Sequence, residues 1–201
     1  MISTEREILL ALYALYLWDC IHWLSIEQVA FVRLSKRWVR KQITPLSFTL
    51  LGRMPILRNP VSTTPGLIIC SELDDPLDLP LDTKRLRKRI LLLRRELFPL
   101  SVCAGISATY LLLILPTLIL MGGLVALWKL LALTFLLLHL LVVSEFYIAG
   151  RQWREKAPKS FAETLIAICL NPLTAIRSAD ALMNWEFSKT KVTAIETALS
   201  R

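Results

Sequence analysis

Residues 97–150 read LFPLSVCAGISATYLLLILPTLILMGGLVALWKLLALTFLLLHLLVVSEFYIAG, and this stretch decides the fold. Within it only Lys129 and Glu145 are formally charged at neutral pH, and His139 titrates close to it. A helix crosses about 30 Å of hydrocarbon with about 20 apolar residues. The stretch is too long for one crossing and suits two. Met121-Gly122-Gly123 is the natural break, because adjacent glycines leave a helix readily. The expectation is a transmembrane hairpin at 99–150, with helical arms near 99–121 and 125–149.

Composition agrees. The chain has 201 residues, 55% of them hydrophobic, with a mean hydropathy of +0.54. Soluble domains run about 45–50% apolar, so an integral membrane protein with polar segments is expected. The net charge is +8 and its basic part is clustered: residues 25–99 hold 14 Lys and Arg against 7 Asp and Glu. Each exposed basic residue near an anionic leaflet contributes about 1 kcal/mol. Nucleic acid is the other partner such clusters suggest. With spans present, anionic lipid is the simpler one, and no nucleic acid is expected. Cys20, Cys70, Cys103 and Cys169 form no CxxC pair and lack zinc-type spacing, so no disulfide and no metal are expected.

Upstream, residues 8–24 read ILLALYALYLWDCIHWL, 17 residues at the short end for a span, with Asp19 and His22 in the second half. Residues 1–24 are read as an N-terminal membrane helix. Ser25-Ile-Glu-Gln28 matches a capping box, which places a new helix at 25–42. At 100° per residue, Arg33, Lys36, Arg37, Arg40 and Lys41 fall in one sector of about 140° opposite Phe31, Val32, Leu34, Trp38 and Val39, the pattern of a basic interfacial helix. Residues 43–82 hold six of the ten prolines. They are read as a Pro-rich loop or small β-hairpin, with candidate strands at 47–51 and 67–70 and an acidic end at Glu72, Asp74, Asp75, Asp78 and Asp82. Residues 83–98 form a basic juxtamembrane helix with Leu86, Ile90, Leu93 and Leu97 on one stripe. Lys84, Arg85, Arg87, Lys88 and Arg89 surround that stripe and, with the basic set of 25–42, make the candidate lipid-headgroup site.

Residues 151–201 read as cytoplasmic amphipathic helices. A second capping box, Ser160-Phe-Ala-Glu163, precedes Phe161, Leu165, Ile168 and Cys169 on one face. Pro172 breaks that helix, and Ile176, Ala179, Leu182 and Met183 align in the next. A weak stripe of Val192, Ile195 and Leu199 closes the chain. The fold class expected is thus an all-α integral membrane protein. Three basic flanks, after residue 24, before residue 97 and after residue 150, place those ends on the cytoplasmic side by the positive-inside rule. The expected location is a bacterial inner membrane, multi-pass, with a cytoplasmic C-terminus.

Asp19 and His22 are about 60° apart on a helix and share a face, and ionisable residues inside a membrane segment mark functional sites by default. His139 is positioned to hydrogen-bond across helices, and Glu145 lies about 240° round the same helix. These four make a candidate intramembrane polar site. Structural roles are the better reading for each. GxSxG, HExxH and GxxxxGK[ST] are all missing. The function expected is a non-enzymatic membrane-anchored scaffold or assembly subunit. It would need no cofactor, and it would bind anionic lipid, partner proteins and further copies of itself. A channel or transporter subunit using Asp19, His22 and His139 is the alternative, and an interfacial lipid-modifying enzyme comes after it.

Overall fold

The apolar arms are helical in the computed structural model of the chain. The structure describes residues 2–34, 37–43, 49–50, 53–57, 63–71, 83–120, 124–188, 190 and 192–199. In order come α1 (Ile2–Asp19), β1 (Ile21–Leu24), β2 (Gln28–Leu34), β3 (Arg37–Gln42), β4 (Met54–Leu57), β5 (Leu67–Ser71) and α2 (Thr83–Glu96). There follow α3 (Phe98–Thr109), a π-helical turn (Tyr110–Ile114), α4 (Leu115–Leu120) and α5 (Leu124–Ala149). The chain closes with α6 (Arg151–Lys156), α7 (Pro158–Leu170), α8 (Pro172–Ala175), α9 (Ser178–Phe187) and α10 (Val192–Leu199). Two compact units result: Met1–Cys20 with Pro99–Ala179, and Ile21–Phe98 with Asp180–Arg201.

The all-α expectation is overturned, because the protein carries two antiparallel sheets. Residues 25–42 are not a basic helix. They form the β2–β3 hairpin, in register Val32↔Val39 and Ala30↔Lys41. Half of the Ser25–Gln28 motif forms: the Gln28 carboxamide accepts from the Ser25 N–H at 3.1 Å, but the Gln28 N–H goes to the Ser25 backbone carbonyl at 3.0 Å and not to its hydroxyl. Here the reciprocal bonds close a turn between β1 and β2 instead of opening a helix. Nor does one helix fill residues 8–24. α1 stops at Asp19, and Ile21–Leu24 pairs with β4. The apolar part of α1, residues 8–18, spans about 17 Å at 1.5 Å per residue, too short for a bilayer. Among the described residues two helices are long and apolar enough to cross a membrane, Phe98–Leu118 and Lys129–Ala149.

The second unit is layered. Cross-strand partners share a face of a sheet. Ala30, Val32, Leu67 and Ile69 therefore point together, and they pack on Leu24, Ile56 and Met54 of the β1–β4 ribbon. Val29, Phe31, Ile68 and Cys70 occupy the opposite face and are equally buried. Arg40 stands on that face, opposite Phe31, and pairs with Glu196 of α10 at 2.9 Å. α10 packs on α2, whose buried residues Leu86, Ile90 and Leu93 follow the expected stripe. The outer edge of β5 is closed by α9: Asp180 accepts from the Gly66 N–H at 2.9 Å, and Asn184 accepts from the Ile69 N–H at 3.0 Å. The Cys70 thiol donates to the Phe187 carbonyl at 3.6 Å, so positions i, i+4 and i+7 of one helix meet one strand edge.

In the first unit α5 packs against α7 and α8, and α1 against α4 and α8. Tyr16, Cys20, Leu111, Leu173 and Ile176 form its buried cluster. At the far end of α5, Phe146 and Phe161 stack with ring centres 5.4 Å apart, and Trp153 meets both edge-on. Gly150 makes this possible, because a Cβ there would lie 2.4 Å from the Phe161 ring. All four cysteines are free.

Candidate functional site

Along α5 and the arm before it, what the first unit presents is largely apolar. Leu130, Leu133, Leu136, Leu137, Leu140, Leu141 and Ile148 of α5 are exposed, as are Val102, Ile106, Leu113 and Ile114 on the other arm. The core helix of a soluble protein is buried, yet only 11% of the most apolar window in Lys129–Ala149 is buried, against 39% in Phe98–Leu118. Contiguous exposed apolar surface of this kind marks a membrane or interaction site.

Backbone polar groups inside this unit are met by side chains. Pro116 has no N–H to return to the Leu112 carbonyl, and the Tyr13 hydroxyl donates to that carbonyl at 2.6 Å. The preceding π turn absorbs the same defect, with the Leu115 N–H reaching back five residues to Tyr110. The Tyr110 hydroxyl donates to the Leu131 carbonyl at 2.8 Å and ties one arm to the other. At the end of α7 a second proline repeats the problem. Pro172 gives nothing to Ile168, and the Leu173 N–H turns to the Asn171 side chain at 3.0 Å, which leaves the Cys169 carbonyl without its helical donor. His139 Nε2 lies 3.0 Å from that carbonyl. A carbonyl only accepts, so Nε2 carries the proton. His139 is buried, and its ring stacks on Phe135 at 6.2 Å. Such satisfaction is what a low-dielectric surround demands, since an unpaired backbone group there costs several kcal/mol.

The four residues of the expected polar site are distributed over three elements. His22 lies on β1 in the second unit, opposite Ile56, while His139 lies in the first. Asp19 ends α1, so it shares no helix with His22, and its side chain lies outside the described residues. Glu145 is half-buried on α5. No group of three His, Cys, Asp or Glu among the described residues is placed to hold a metal.

Of the headgroup set, Arg37, Arg40, Lys41, Lys84, Arg85, Arg87 and Lys88 are exposed. Arg33 is half-buried on β2. Arg89 is half-buried and pairs with Glu186 at 3.0 Å, so it stabilises α2 against α9. On α2, Lys84, Lys88, Leu91 and Arg95 follow at i, i+4, i+7 and i+11, opposite the buried stripe, and all four are exposed. Lys36, most of 47–51, the acidic residues of 72–82 and the Met121–Gly123 break lie outside the described residues.

Sequence reasoning missed several residues that matter here. Arg177 is buried, donates to the Cys20 thiol and sits 5.3 Å from the centre of the Tyr16 ring. Asp180 and Asn184 gave no signal, because their partners are backbone groups more than 110 residues away. Pro116 was passed over as well, although a proline inside an apolar arm announces a freed carbonyl four residues earlier. No family model, curated protein or solved structure matches this chain.

Proposed function

We propose that the protein is a non-enzymatic, membrane-anchored scaffold or assembly subunit. α3–α4 and α5 cross the bilayer as a hairpin, and the basic flanks bind anionic headgroups on the cytoplasmic side. The single observation that carries this reading is the solvent-facing leucine surface of α5, which has no place in water. The exposed basic stripe of α2, one residue before α3 in sequence, supports the lipid half of the proposal. β3 supports the partner half. It is an outer strand of its sheet and carries exposed Arg37 and Lys41 on one face, a surface for acidic segments of other proteins.

The test uses the full chain reconstituted in mixed phosphatidylglycerol and phosphatidylcholine vesicles. Spin-labelled lipid should be enriched at the protein boundary when the headgroup is anionic. Joint Lys84→Glu, Lys88→Glu and Arg95→Glu substitution should remove the enrichment. Equal enrichment in the variant would remove the lipid-binding role. The channel alternative makes another demand: Asp19→Asn with His22→Ala should abolish proton or ion flux in liposomes while assembly persists. That outcome would displace the scaffold reading.

A further inference from the structure

We infer that α7 is a re-entrant helix: it turns back beside α5 to about the middle of the bilayer, ends there, and presents its outer face to lipid acyl chains. The inference rests on the proposal that α5 spans the membrane.

Geometry gives the direction. Phe161 stacks on Phe146 and also meets Tyr147, with ring centres 5.4 and 6.1 Å away. Eight residues further along α7, the Cys169 carbonyl meets His139, which is seven residues back along α5. At 1.5 Å per residue these steps are about 12 and about 11 Å, so the two helices run antiparallel and side by side. His139 lies ten residues from Ala149, the last residue of α5. At 1.5 Å per residue that is about 15 Å, half of the roughly 30 Å hydrocarbon layer. The end of α7 is therefore level with the midplane.

Polarity along α7 agrees with that depth. A helix lying flat in the interface sorts charge by angle, with one polar and one apolar side. α7 sorts it by distance. Lys159, Glu163, Ile166 and Leu170 share one stripe at i, i+4, i+7 and i+11, opposite the buried Phe161 and Ile168. The two charges fall in the first turns. Ile166 and Leu170 fall in the last, 58% and 80% exposed. Cys169 is exposed beside them. A solvated face would not keep its two most exposed leucine-type side chains at the same end, away from its charges. That end packs beside α5 at His139, and the exposed side chains of α5 around it are leucines as well, so acyl chains are the occupant that suits both helices.

The broken end of α7 also behaves as a helix end in hydrocarbon must. Irregular backbone at that depth is tolerated only where protein satisfies it. His139 donates to the Cys169 carbonyl, and Asn171 takes the Leu173 N–H, so two of the backbone groups displaced at the Pro172 break are met from within.

Depth-dependent quenching tests this in the full chain. Cys20, Cys70 and Cys103 are replaced by alanine, and a fluorophore is placed on Cys169. In two parallel variants with Cys169→Ala the fluorophore sits on Leu137→Cys or Lys159→Cys. Vesicles carry a nitroxide either deep in the acyl chain or at the headgroup. The expected deep-to-headgroup quenching ratio is above one at 169 and 137 and below one at 159. A ratio above one at 137 with headgroup quenching at 169 would overturn the re-entrant helix and leave the span standing. Absence of quenching at 169 by either lipid would mean that protein covers this face, for instance a second copy, and would also overturn it. Headgroup or solvent exposure at both 137 and 169 would remove the spanning proposal, and the re-entrant helix with it. Retained secondary structure and a single elution peak in mild detergent establish that each variant is folded.

Discussion

The two units meet one physical requirement in opposite ways. Every backbone N–H and carbonyl withdrawn from water needs a partner. In the second unit the partners are charged or amide side chains, Asp180 and Asn184, closing a strand edge, while lysines and arginines face outward. In the first unit the partners that reach across from another helix are aromatic or imidazole groups, Tyr13, Tyr110 and His139, each meeting a main-chain carbonyl, while leucines face outward. The contrast teaches that the surroundings of each unit can be read from how its backbone is satisfied, and not only from its hydropathy.

The largest expected effect comes from inverting the outer surface of the first unit. Leu137 is 58% exposed. On a soluble surface Leu137→Lys would change stability by no more than about 0.5 kcal/mol. At the centre of a spanning helix the same change costs about 3 kcal/mol. Membrane integration, measured by resistance to alkaline extraction, should fall sharply. An unchanged extracted fraction would break the contrast between the units.

Asp180 is the matching test in the second unit. Asp180→Ala leaves the part-buried Gly66 N–H without its acceptor and should destabilise that unit by about 1 kcal/mol or more. Asp180→Asn keeps a carbonyl at the same position and should lose less. Hydrogen exchange at β5 reports the difference. If both variants behave alike, closure of the strand edge is not what holds α9 in place.

His139 is expected to matter less, because interhelical hydrogen bonds in membranes average under about 1 kcal/mol. His139→Leu should lower the detergent unfolding midpoint by that order, and His139→Gln, which retains an N–H donor, should recover part of it. Equal losses in the two would show that ring stacking on Phe135, not the proton on Nε2, is what counts. Smallest of all is Arg40→Ala. Arg40 and Glu196 are 37% and 45% exposed, so their pair contributes about 0.2–1 kcal/mol and weakens with salt.

The parts of this molecule that could be read from sequence were those with one dominant period. Leu86, Ile90, Leu93 and Leu97 were buried as spaced, and so were Ile176, Ala179, Leu182 and Met183. The hairpin arms lie where unbroken apolar length placed them. β2 was misread for a physical reason. Val29, Ala30, Phe31 and Val32 are all buried, since that strand is covered on both faces, and a doubly covered strand has no alternation to detect. The arginines and lysines of β3 happen to fall at spacings that also suit a helix, and its outer position in the sheet is what leaves them exposed. β1 was hidden because Ile21–Leu24 continues the apolar run of α1 without a break in hydropathy, and only the pairing with β4 separates it. At the candidate site His139 was legible as a buried polar residue, but not its partner. The Cys169 carbonyl becomes available only because Pro172 and Asn171 withdraw the usual donors.

A cysteine scan of residues 130–148, read with a membrane-impermeant maleimide in sealed vesicles, addresses the placement of α5 most directly. In lipid, exposed and buried positions are protected alike, so the expected result is uniformly low labelling at Leu133, Leu137, Leu140, Val142 and Phe146. In water, reagent reaches only the exposed side chains. Strong labelling at Leu133, Leu137 and Leu140 with none at Val142 and Phe146 would contradict the membrane hairpin.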